Sequence, residues 1–222
     1  IGKRPSLFTN EDNDFVIELS SPLLIEGTGG YECSFKLGQP SYDQVVQAFA
    51  QEKLTHYLSA TYTETESLQD ALVRLSKEAE DAVEQGKSLI IIDDANAHQN
   101  GNLWIDPHLI LAAVDQALVE KQIRRNCSIL LRSGGIRSLH DIIVAYGLGA
   151  NIISPYLLFS TVGEESIQPT LHLFSALNKG LEKVISTIGI HELRGYGRLF
   201  SSIGLHEEIA DVLKVVNFLG SN

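Results

Sequence analysis

SILLRSGGIRSLHDIIVAYGLGANIISPY, residues 128–156, decides the fold. An apolar run from Ser128 to Leu131 passes into Gly134-Gly135. A helical pattern then covers Leu139 to Tyr146, Gly147 and Gly149 end it, and a second apolar strand follows in NIISPY. A strand that is apolar at consecutive positions is covered on both faces, as in a parallel sheet with helices outside. The same unit repeats upstream. SLIIID, residues 88–93, is another continuous apolar run. Between the two runs, Asp106-Pro107 has the chemistry of a helix start, and Ile110, Leu111, Val114 and Leu118 recur at helical spacing. Further back, HYLSATY (residues 56–62) alternates like a strand. Ser67 can cap a helix carrying Leu68, Leu72, Leu75, Ala79 and Val83, which Gly86 stops. The order is β-α-β-α-β-α-β with short connections.

Outside this block the pattern weakens. Phe15 to Leu19 alternates like a strand, and SSPLLIEGTGG (residues 20–30) has loop chemistry. Pro40-Ser41 marks a helix start, with Val45, Val46 and Phe49 on one side of Tyr42 to Gln51. Leu171 to Ile188 has a long helical period, and a last helix is expected from about His206 to Phe218. Four β-α repeats are half of an eight-stranded barrel, which needs about 250 residues. The expected fold is therefore α/β: an incomplete or irregular (β/α) barrel-like parallel sheet with flanking helices and a C-terminal helical extension. The expected division is residues 1–54 as an extension packed on the core, 55–205 as the α/β domain, and 206–222 as a C-terminal helix.

The chain has 222 residues, of which 44% are hydrophobic and 20% charged, enough for a packed core. Its net charge of −11 repels phosphate backbones and anionic lipid, which argues against nucleic-acid and membrane partners. No apolar run approaches the ~20 residues needed to cross a bilayer, and IGKRPSLFTN has no apolar stretch resembling a signal peptide. Cys33 and Cys127 lie far apart without metal-like spacing, which suits a reducing, cytoplasmic setting and two idle thiols. The absence of methionine hints at a piece of a longer polypeptide.

Two constellations carry possible chemistry. Gly134-Gly135, after a strand and before a helix, is the place where barrel enzymes cradle a phosphate on backbone amides, and Arg137 could add a bidentate contact. The plainer alternative is a tight turn, with Ser138 capping the helix and Arg137 in water. A complete phosphate cup usually draws on a second loop, but the next strand ends in the bulky SPYLLF. No lysine stands at a strand end to steady a flavin. Asp93-Asp94 follows a buried strand, where barrel catalysts sit, and paired carboxylates can divide acid and base roles. His98, Asn96 and His108 lie nearby in sequence. The alternative is that one aspartate pins the loop backbone while the other faces water. Trp104 reads as an anchor for the same loop. No metal ligand set, serine elbow or Walker loop is present. Gly195-Tyr196-Gly197-Arg198 is as readily a helix connection as a site.

Several blocks are less generic: LQDALVRLSKEAEDAVEQGKSLIIIDD, PHLILAAVDQALV, LLRSGGIRSLHDIIVAYGLGANIISPYLLF and NKGLEKVISTIGIHELRGYGRLFSSIGL. In order and spacing, over about residues 55–205, they resemble the central domain of glutamate synthase. The resemblance implies a barrel-like domain with no cofactor, metal or catalytic residue of its own. It would sit between an amidotransferase domain and a domain that carries FMN and an iron–sulfur cluster, and hold them around an ammonia passage. The implied role is a connector in glutamate synthesis from glutamine and 2-oxoglutarate. Two departures stand out. Asp93-Asp94-Ala95-Asn96 replaces a Ser-Asp-Arg-Gly-like turn, and Gly135 stands where an acidic residue is common. The two changes keep open a free-standing phosphate- or FMN-binding barrel enzyme, with Gly134, Gly135 and Arg137 on the phosphate and Asp93 or Asp94 as base.

Overall fold

A computed structural model describes residues 1–4, 15–97, 99, 101–162, 166–190, 193, 197 and 200–220. His98, Gly195, Tyr196 and Arg198, singled out above, lie outside the described residues. The centre is a parallel sheet of β1 (Thr55–Ser59), β3 (Leu89–Asp93), β5 (Ser128–Arg132) and β6 (Ile152–Ser154), in the order β1-β3-β5-β6. Between the strands run α3 (Leu68–Glu84), α4 (Pro107–Glu120) and α5 (Leu139–Gly147). The strand order never reverses, so right-handed crossovers put all three helices on one face, as around a barrel. An open sheet of this kind has no switch point, the usual ligand crevice of doubly wound folds.

Local chemistry starts these helices as the sequence demands. The Ser67 side chain accepts from the Asp70 amide, Asp106 from those of His108 and Leu109, and Ser138 from that of Asp141. Ser41 and Gln44 form a reciprocal capping box at the start of α2 (Tyr42–Gln51). Each such cap is worth about 1 kcal/mol.

The other sheet face explains why the barrel stays open. Pro22–Leu24 runs alongside β6 in parallel fashion: Leu24 donates to the Ile153 carbonyl and Ile153 to the Pro22 carbonyl. β1 lies at the opposite edge, so the connection must cross the sheet. It does so through α1 (Gly27–Leu37) and α2. Alternation along the strands sends Leu89, Ile91, Leu130 and Ile152 toward α2, where they bury Val45, Phe49, Tyr42 and Leu24. Phe15 meets the Phe49 ring edge-on at 4.8 Å. Ile90, Ile92, Ile129, Leu131 and Ile153 face the opposite way, into the larger core under α3–α5 and α7 (Ile167–Ile188). The face that lines the inside of a closed barrel is thus filled by a helix of this same chain.

Several expectations need correction. α1 begins within the stretch 20–30 read as loop and runs on to Leu37. Its glycines hid it, and Gly30 is there because a Cβ would come within 2.8 Å of the Ile25 carbonyl oxygen. Phe15 to Leu19 forms no strand, only a bridge from Val16 to Gly2. The expected strand over residues 56–62 breaks at Ala60. Beyond it, β2 (Thr61–Thr63) pairs antiparallel with β4 (Asn102–Trp104). The last helix is only α8 (Glu207–Leu213), because Lys214 adopts φ 50° and ends it. It joins β7 (Ser201–Ile203) to the parallel β8 (Val216–Phe218), so the C-terminal region is not purely helical. Cys33 and Cys127 are buried free thiols, and burial pushes Cys127 up to about 11.

Phe49→Ala empties the centre of the α2-side core and is expected to cost about 3–5 kcal/mol in urea unfolding. A loss below about 1 kcal/mol would show that α2 does not fill that face.

Candidate functional site

The tips of β3 and β5 bring Asp93, Asp94, Arg132, Ser133, Gly134 and Gly135 together. β3 and β5 pair in register so that Asp93 stands beside Arg132. The Arg132 guanidinium reaches Asp93 at 2.9 and 3.1 Å, and grips Glu26 with two bonds of 2.7 and 3.0 Å. It also stacks over Tyr156 at 4.5 Å and lies 5.6 Å from the Tyr42 ring. Burial opposes its charge, but the Glu26 and Asp93 carboxylates hold it firmly protonated. Asp93 also accepts from the Ala95 amide at 2.8 Å, pinning the loop as one of the two aspartates was expected to do.

Asp94 does not face water. It is 5% exposed, and its carboxylate accepts four hydrogen bonds, two on each oxygen. Oδ1 takes the Gly134 amide at 3.0 Å and the Tyr156 hydroxyl at 3.1 Å. Oδ2 takes the Ser133 hydroxyl at 2.5 Å and the Trp104 indole N–H at 3.2 Å. The second amide of the turn, from Gly135, donates to Ser133 Oγ at 3.0 Å. The Gly134-Gly135 loop therefore grips an anion, and that anion is Asp94. Burial, then the neighbouring Asp94 charge, push the Tyr156 phenol up to about 12, so it stays a donor.

The glycines serve packing as well. A Cβ on Gly134 would come within 2.5 Å of Leu157, and one on Gly135 within 2.8 Å of Trp104. Arg137 is exposed, its amide donates to Asp141, and it lines a shallow cavity of about 380 Å³ with Asp94, Trp104, Tyr156 and Leu157. His108 sits apart, donating from Nε2 to the Asp141 carbonyl at 3.1 Å with Nδ1 3.5 Å from Asp106. Among the described residues no group of three or more His, Cys, Asp or Glu could hold a metal ion, and no helix is long and apolar enough to cross a membrane.

Comparison with known proteins matches this frame. The family profile described as "Glutamate synthase central domain" matches residues 1–206. The chain belongs to the glutamate synthase central domain family. The glutamate synthase [NADPH] large chain of Bacillus subtilis (strain 168) is 29% identical over 158 residues, covering 66% of this chain and 10% of that one. The ferredoxin-dependent glutamate synthase of Antithamnion sp. is 25% identical over 218 residues, covering 88% and 13%. The chain thus spans about a tenth of the length of these curated relatives. Among solved structures, a flavocytochrome b2 with benzoylformate superposes with a TM-score of 0.52 at 12% identity, covering 72% of this chain and 38% of that one. The recombinant flavin-binding domain of baker's yeast flavocytochrome b2 gives 0.50 at 15%, covering 75% and 40%. These last two likenesses concern the fold alone.

Within this central domain, both departures noted in the sequence fall at one place. The captive carboxylate, Asp94, stands at the one position that the Asp93–Asn96 turn shares with the Ser-Asp-Arg-Gly-like pattern, with Asp93, Ala95 and Asn96 differing around it, and Gly135 leaves room for the Trp104 ring that donates to Asp94. Ser133, Tyr156, Arg132 and Glu26 were not foreseen. The Asp93–Arg132 pair had a signal, since neighbouring strands in a parallel sheet end side by side. Glu26 lies 106 residues from Arg132 and had none.

Asp94→Asn keeps the shape but turns an amide N–H₂ toward two of the four donors. It is expected to cost about 2–3 kcal/mol in urea unfolding; a change below about 0.5 kcal/mol would mean the four bonds contribute little. His108 gives a pH signature. Burial lowers its pKa, but Asp106 and the Asp141 carbonyl outweigh this and raise it above the ordinary 6.5. Its contribution to stability is then full below 6.5 and is lost as pH rises through the folded value. His108→Gln should flatten that decline in the urea midpoint. An unchanged pH profile in the variant would assign the decline elsewhere.

Proposed function

We propose that the chain is a connector segment of a larger glutamate synthase and performs no reaction of its own. The observation that carries this reading is the Asp94 carboxylate seated where a barrel enzyme would hold its ligand's phosphate. In this reading residues 55–205 form the family's α/β unit, residues 1–54 pack on it as an extension, and residues 206–222 complete its C-terminal side. The FMN and iron–sulfur cluster belong to other parts of the parent enzyme. The neighbours are its amidotransferase and FMN domains in the cytoplasm, held around an ammonia passage.

Exposed apolar side chains support docking against neighbours. Phe35 is 87% exposed, Ile203 76% and Leu219 83%, with Phe218 beside the last two. In this reading the loop does not fit a flavin phosphate. The amides of Gly134 and Gly135 are already engaged, and the SPYLLF turn puts Tyr156 and Leu157 over them. Charge points the same way, because Asp94 would repel a phosphate at its own donors.

One feature favours the free-standing phosphate- or FMN-binding enzyme instead: the cavity over Asp94, with the exposed Arg137 at its rim. Calorimetric titration of the purified chain with FMN separates the two. The connector reading expects no saturable heat up to about 1 mM FMN, whereas a Kd in the range of about 1–50 μM would overturn it.

A further inference from the structure

We infer that the four donors around Asp94 form an anion-binding site that the chain fills with its own side chain, matched to a monovalent oxyanion of carboxylate size. The inference deepens the connector reading and rests on it, since the site must be closed in the native chain.

The donors come from separate parts of the fold. Ser133 and Gly134 follow β5, Trp104 ends β4, and Tyr156 begins α6 (Tyr156–Ser160). They converge from different directions on one carboxylate that is 5% exposed. Each carboxylate oxygen receives two bonds, which uses its lone-pair directions fully. The Gly135 amide supports the site indirectly by fixing Ser133 Oγ as a donor toward Asp94.

The charge of the site selects its occupant. All four donors are neutral: one amide, two hydroxyls and one indole N–H. Of the two nearby cations, Arg132 spends its hydrogen bonds on Glu26 and Asp93, and Arg137 stands exposed at the rim of the cavity rather than among the four donors. A single negative charge spread over two oxygens matches four neutral donors, two to each oxygen, whereas a phosphate dianion brings a third and fourth oxygen and a second charge that these donors leave unmatched. Removing the Asp94 side chain would therefore leave preorganised donors and a void the size of a carboxylate, opening onto the 380 Å³ cavity.

The test is stability of Asp94→Gly in sodium formate against sodium chloride at equal ionic strength, with inorganic phosphate as a third arm. Formate at roughly ten times its Kd should raise Tm by about 3 °C or more in the variant and leave the native chain unchanged. Phosphate should act more weakly than formate, and Asp94→Gly combined with Ser133→Ala should lose most of the formate effect. Equal Tm values for the variant in formate and chloride would overturn the inference. Should Asp94→Gly not fold in chloride, recovery of the fold in formate supports the inference. If it folds in neither salt, Asp94→Ser is measured the same way, and no formate effect there overturns it. Oxyanion-specific stabilisation of the native chain is a different result, because it contradicts a closed site and with it the connector reading.

Discussion

A buried carboxylate must be satisfied by hydrogen bonds, or its desolvation would cost several kcal/mol. Asp94 meets that requirement with four donors, and in doing so it ties together the ends of β3, β4, β5 and the start of α6. The turn after β5 is shaped by this demand. Its first amide points at Asp94, its second fixes Ser133, and both glycines admit neighbours that a Cβ would push away. Beside it, Arg132 draws Glu26 and Asp93 together across the same end of the sheet. At the end of the fold that in a barrel enzyme faces a ligand, the donors of the turn are here taken up by side chains of the chain itself, beneath a shallow cavity.

The same substitution of self for ligand holds beneath the strand tips. A closed barrel fills its interior with layers of strand side chains. Among the described residues the sheet has four strands and the Pro22–Leu24 segment, too few to close, and its inner face is covered by something else. α2 covers it, because the path from the edge beside β6 to β1 runs across that face. Each large apolar side chain buried there contributes about 1.5–3 kcal/mol.

Much of this was legible in the sequence. The continuous apolar runs at residues 89–92 and 128–131 specify buried parallel strands, and Ser67, Asp106 and Ser138 mark helix starts by chemistry that acts within three residues. What could not be read depends on partners distant along the chain. Tyr156 is 62 residues from Asp94, and Glu26 is 106 from Arg132. The Gly134-Gly135 turn was ambiguous for the same reason: a phosphate and a captive carboxylate ask the same thing of a glycine backbone. α1 was hidden because its glycines suggest a loop, and the β2–β4 pair because each strand has only three residues.

The claim that Asp94 occupies the anion-binding position is tested most directly at the two amides themselves. In a ¹⁵N-labelled sample of the native chain, the Gly134 and Gly135 resonances should be protected from exchange and should not move when phosphate or FMN is added. Saturable shifts centred on those two amides would show that the loop holds an external ligand, and would contradict the account.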